Sequence, residues 1–219
     1  MRRKLSESKS RDTLDGIITA EDLVEAFPIS EDLAVNESHQ KLLHLLSESD
    51  RGCIVLLAAR LENDLGELHK MHIRRVGPTA SKMLRSLFDP YGPLSSFSAK
   101  ISIAYAYGLI EEAEYHDLEL LRKLRNKAAH CGNNFSFEQS PFSGFISSLK
   151  FSFHVQRNFP EIKGSVLEVL ARAQKDNKGA KLLLVMNFTI IMTTLIKRTI
   201  ETHLQILKKE GCAKAKNST

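Results

Sequence analysis

DPYGPLSSFSAKISIAYAYGLIEEAEYHDLELLRKLRNKAAHCG, residues Asp89 to Gly132, decides the fold. Asp89-Pro90-Tyr91-Gly92-Pro93 is the densest turn signal in the chain. Ser95 or Ser96 can then cap a helix carrying Phe97, Ile101, Ala104 and Tyr105. Gly108 ends that helix or thins its surface. A second helix is predicted from Ile110 to Ala129, with Tyr115, Leu118, Leu121 and Leu124 at three- and four-residue spacing. Gly132 is the expected left-handed stop.

The same periodicity extends outward in both directions. Cys53, Ile54, Leu56, Leu57, Leu61, Leu65 and Leu68 predict a helix from about Asp50 to Ile73, with Arg60, Glu62, Asn63, Asp64 and Glu67 on its other face. Ser47 to Asp50 reads as a break or a cap. Pro78 or Thr79 opens a short helix bearing Met83, Leu84, Leu87 and Phe88. Thr19 to Asp22 and Ser30 to Asp32 are further helix starts. Between 133 and 160 the pattern is ambiguous. Phenylalanine is dense there, and the alternation of Phe151, Phe153 and Val155 permits a short strand as readily as a helix. The Phe cluster is expected to be core or dimer packing. Two more helices follow Glu161, broken near Asp176 to Gly179, the last running from Ala180 to about Lys209.

The fold class is therefore all-α: a multi-helix bundle in a single domain over residues 17–210, with disordered tails at 1–16 and 211–219. At 219 residues, 42% apolar and 26% charged, the chain has the composition of a soluble globular domain. Its net charge of +5 comes largely from the two ends, and no basic face interleaved with aromatics points to nucleic acid. Three widely spaced cysteines, Cys53, Cys131 and Cys212, argue against a disulfide framework and a zinc site and fit a cytoplasmic protein. The apolar run Leu182 to Ile196 falls short of a membrane span and reads as a core helix. Glycine-rich phosphate loops and HExxH are absent, so no cofactor and no metal is expected.

One run carries possible chemistry, Arg125-Asn126-Lys127-Ala128-Ala129-His130. Basic groups at a helix C-terminus complement its dipole, which needs no further function. Alternatively, an always-charged guanidinium and a titratable imidazole can bind and cleave a phosphodiester. Arg125 and His130 lie five positions apart, about 140° around an ideal helix. Sharing one cleft requires fraying of the last turn, or two copies packed across a twofold axis.

The series Gly92-Pro93-Leu94, Lys100-Ile101, Tyr105, Gly108-Leu109-Ile110, Tyr115, Leu118, Leu121, Arg125 and His130 resembles the mannitol operon repressor family. The likeness extends more weakly back through Arg51-Gly52-Cys53 and Leu61-Glu62. It implies a small helical regulator of transcription. Neither the family nor this chain shows a helix-turn-helix, so a protein partner is expected rather than direct DNA binding.

Arg125-Asn126-x-x-x-His130 is also similar to the signature of HEPN domains, many of them metal-independent ribonucleases with a site at a dimer interface. That resemblance implies that Arg125 holds the scissile phosphate of an RNA, His130 acts as general acid or base, and Asn126 orients one of them. It asks for an acidic residue from an earlier helix, for which Glu62 is the candidate and Asp64 the reserve. A homodimer is expected on either resemblance. Lys100 is either solvated or at the rim of the same cleft.

Overall fold

The computed structural model describes residues 44–73, 79–132, 135–137, 142–160 and 179–216. The helix starts expected at Thr19 and Ser30, the helix expected after Glu161, and both expected tails lie outside them, apart from the helical backbone of residues 211–216. Among the described residues there are seven helices and no strand: α1 (Asp50–His72), α2 (Ala80–Phe88), α3 (Phe97–Ala106), α4 (Glu112–His130), α5 (Ser143–Ser147), α6 (Phe151–Asn158) and α7 (Ala180–Lys216).

The local signals act as their chemistry dictates. Ser49 caps α1 by accepting the Gly52 N–H at 3.0 Å. Ser96 caps α3 through the Ala99 N–H at 3.2 Å. At the start of α4, Glu111 and Glu114 form a reciprocal capping box. Gly108, at φ 67°, closes α3: its N–H reaches Tyr105 O and the Leu109 N–H reaches Ala104 O, the paired bonds of a Schellman stop. Gly92 is required by space rather than by φ, because a Cβ there would sit 2.2 Å from the Ser86 carbonyl oxygen.

The core is built from the predicted stripes. Cys53, Ile54, Leu57, Leu61, Leu65 and Leu68 of α1 pack with Leu118, Leu121 and Leu124 of α4 and with Phe97, Ile101 and Ala104 of α3. The buried half of α7 (Leu183, Leu184, Val185, Phe188, Ile191 and Leu195) lies along α1. Each fully buried side chain of this size contributes roughly 1.5–3 kcal/mol through lost contact with water. The segment Ala180–Lys208 is long and apolar enough to cross a membrane by length and composition, yet 61% of its most apolar window is buried in the fold.

Two open readings are settled and two expectations change. Where strand and helix were both open, Phe151–Asn158 is helical: Phe151 and Val155 sit one turn apart facing the core while Phe153 points outward, 45% exposed. Phe137, Phe142 and Phe151 are buried, and Phe135, Phe145 and Phe159 are partly buried against them, so most of the aromatic cluster is core packing. Gly132 is not a left-handed stop. The α4 ladder runs to the Cys131 N–H on Lys127 O, and the Arg51 guanidinium takes the Cys131 carbonyl at 2.7 Å and that of Gly132, leaving no need for an αL residue. Asp64 is buried rather than solvated.

Candidate functional site

α1, α3 and α4 converge on one carboxylate. Glu62 of α1 accepts from Lys100 Nζ of α3 at 3.1 Å through Oε1, and from an Arg125 guanidinium nitrogen of α4 at 3.3 Å through Oε2. Glu62 occupies the side of α1 turned toward both partners, next to Gly66, whose missing side chain leaves the Lys100 stem 3.9 Å from where a Cβ would lie. Lys100 is therefore not a solvated lysine. Only 12% of its side chain is exposed, against 22% for Glu62 and 39% for Arg125. His69, buried on the same helix, fixes the register: its Nε2 meets the Lys100 carbonyl at 2.8 Å. A carbonyl only accepts, so Nε2 carries the proton. Burial pushes the His69 pKa below the usual imidazole value, partly opposed by that hydrogen bond.

The two other motif residues are elsewhere on α4. Asn126 and His130 are exposed, and among the described residues neither side chain makes a hydrogen bond or ion pair. The helix is regular to its end, so the 140° between Arg125 and His130 is not reduced by fraying. The geometry thus joins Glu62 with Arg125 and separates both from His130 within one chain. Asp64, the reserve acid, pairs with Arg60 at 3.4 Å while its Oδ2 is unpartnered. Desolvation raises its pKa, with Arg60 opposing.

Two polar clusters were missed by sequence reasoning. Asp117, fully buried on α4, accepts from His116 Nδ1 (2.9 Å), His154 Nε2 (3.0 Å), Asn187 Nδ2 (2.9 Å) and the Lys150 N–H (3.1 Å). It ties α4 to the start of α6 and to α7. Arg198 of α7 pairs with the buried Glu114 at 2.6 Å and donates to Leu109 O at 3.0 Å. Glu111, Arg157, Arg198, His72, Glu201 and Thr202 line an open cleft of about 240 Å³. The signal for both clusters was in the helical pattern: Glu114 and Asp117 fall on the apolar face with Leu118 and Leu121, where an acid must have a partner. Among the described residues, no group of three His, Cys, Asp or Glu side chains is placed to hold a metal ion.

The chain is similar to known proteins in three respects. The mannitol operon repressors of Escherichia coli strains K12 and O6:H1 are each 38% identical to it over 63 residues, 29% of this chain and 32% of theirs. The aligned part thus spans about a third of those relatives. The X-ray structure of the MtlR-HPr complex from Escherichia coli contains a chain with the same fold, at a TM-score of 0.55 and 21% identity, covering 72% of this chain and 96% of that one. The mannitol repressor family profile matches residues 79–202, from the turn before α2 through the contact of α7 with α1. With more than half of its length matched, this chain belongs to the mannitol repressor family.

Proposed function

We propose that the chain is a non-enzymatic, cytoplasmic regulator of the mannitol-repressor type, acting in transcriptional regulation through a protein partner. The observation that carries this reading is the engagement of Arg125. Its guanidinium is held by Glu62, which also holds Lys100, so the cation that would grip a substrate phosphate already has a carboxylate partner within the chain. His130 stands about 140° away around the same helix, out of line with it. The repressor-fold neighbour was solved with HPr, which makes HPr the first partner to try. Calorimetric titration of the full chain with Escherichia coli HPr is the test. Saturable binding is expected; no binding up to about 1 mM, the weak edge of specific association, would sink the HPr assignment.

A second reading has one observation in its favour. The acid that a HEPN-type ribonuclease asks for, Glu62, does meet Arg125. In that reading a second copy supplies His130 across a homodimer interface. Incubation with single-stranded RNA in EDTA decides it: metal-independent cleavage by the wild type, lost in His130→Ala, would replace the regulator by a nuclease.

A further inference from the structure

We propose that Lys123, Asn126, Lys127 and His130 form a docking surface for an acidic face of a partner protein. This rests on the partner-protein reading above and names the face that the partner uses. The four residues stand at i, i+3, i+4 and i+7 of α4, within about 100° of arc, and all are exposed. Leu121, Leu124 and Ala128 occupy the opposite, buried side. The neighbouring cations are committed internally. Arg122 makes two 2.9 Å bonds to Glu119, and Arg125 is held by Glu62. Among the described residues Lys123 and Lys127 make no ion pair, and Lys127 lies 4.9 Å over the Phe145 ring. Of the six Lys and Arg from Leu120 to Pro160, Arg122, Arg125 and Arg157 are paired with Glu119, Glu62 and Glu111, so the charge left on this face is that of Lys123 and Lys127. Arg51 holds the Cys131 and Gly132 carbonyls just past the end of α4, setting a cation against the negative end of the helix dipole.

A protein face fits better than a nucleic acid. Two unpaired ammonium groups neutralise too few phosphates for useful counterion release. The nearby aromatic, Phe145, has its face covered by Lys127 and offers no base-stacking platform. Carboxylates spaced along a partner helix or loop would meet Lys123 and Lys127, with the Asn126 amide and the His130 ring donating between them.

The experiment is calorimetric titration of the full chain with Escherichia coli HPr, comparing the wild type with Lys123→Glu/Lys127→Glu. A control, Lys82→Glu/Arg85→Glu, reverses two exposed cations on α2. Thermal melts confirm that both variants are folded. Weakening of about tenfold or more in the first variant, with the control unchanged, is the expected result. Wild-type affinity in the first variant overturns the surface while leaving the partner reading intact. If HPr does not bind the wild type, the HPr assignment fails, and a deca-glutamate peptide then judges the surface. Binding that falls with salt and with the double reversal upholds it, and no binding overturns it. A single-stranded RNA that binds the wild type more tightly than either probe, and is lost in the same variant, also overturns it.

Discussion

Glu62 and Arg125 lie 63 residues apart in sequence and 3.3 Å apart in space, with Lys100 completing the triad from a third helix. One carboxylate thus holds two cations where α1, α3 and α4 meet. Replacing Glu62 by Gln keeps the shape and removes the charge, leaving Lys100 and Arg125 facing each other. The pairing is partly solvated, so the expected loss is modest, about 1 kcal/mol. Urea unfolding at low and high salt checks it, and the loss should shrink as salt screens the two cations.

Asp117 is a different case, because it has no exposure and four donors converge on it. Asp117→Asn would set an amide N–H₂ against those donors and orphan at least one of them. A loss of about 3–5 kcal/mol is expected, the scale for breaking a buried charged network. His116→Ala, at the half-exposed edge of the cluster, should cost about 1 kcal/mol. Equal costs in denaturant titrations of the two variants would mean that the cluster is not the anchor described here.

His69 gives the fold an acid sensitivity. Its folded pKa lies below the usual imidazole value, so between the two values the unfolded chain binds the extra proton. Stability is therefore full above the unfolded value of about 6.5 and is lost as pH falls below it. His69→Gln should flatten this part of the stability profile. Asp64 acts with the opposite sign: its raised pKa means that stability falls as pH rises from about 3.9 toward the folded value. Asp64→Asn should thus be neutral or stabilising at pH 7. Denaturant midpoints across pH for both variants test the two signs separately.

The two turn glycines should differ in cost. Gly108→Ala places a side chain at φ 67° with open space around it, for about 1 kcal/mol. Gly92→Ala drives a Cβ against the backbone of Ser86 and Leu87, which cannot give way without unmaking the turn into α3. A loss of more than 2 kcal/mol is expected there, on the scale of overpacking. Thermal unfolding of the two variants side by side settles the order.

Cys53 should be silent to thiol reagents in the folded protein. It is fully buried, and desolvation pushes its pKa up to about 12. Peptide mapping after labelling should find Cys53 modified only under denaturing conditions.

The helical stripes of α1, α3 and α4 were legible because each repeats its apolar residues at three- and four-residue spacing, and because Ser96 and Gly108 carry their cap chemistry locally. Glu62 entered as a candidate only through the HEPN resemblance, since nothing local in α1 distinguishes Glu62 from Glu67. What escaped was long-range. Arg51 lies 80 residues from the carbonyl it caps, so Gly132 looked like the natural stop. Phe151 to Val155 fits a strand by alternation and a helix by i,i+4 spacing, and the choice is made by Asp117, 33 residues from the Lys150 N–H it holds. His154 and Asn187 gave no sign that they would share one acid, because their meeting depends on how α6 and α7 are laid against α4.

Arg51 joins the beginning of α1 to the end of α4, while Lys181 reaches the Glu48 carbonyl and sits 3.7 Å from Asp50. Three helix ends are thus riveted together at one pole of the molecule. At the other, α7 runs on past the packed body with Ile200, Leu204 and Leu207 half in water. One end of the body is thus cross-tied between helices, and the other is a single helix with apolar side chains half in water. A partner docked as proposed beside His130 would land at the cross-tied end, where the bonds that position α4 are already made before it arrives.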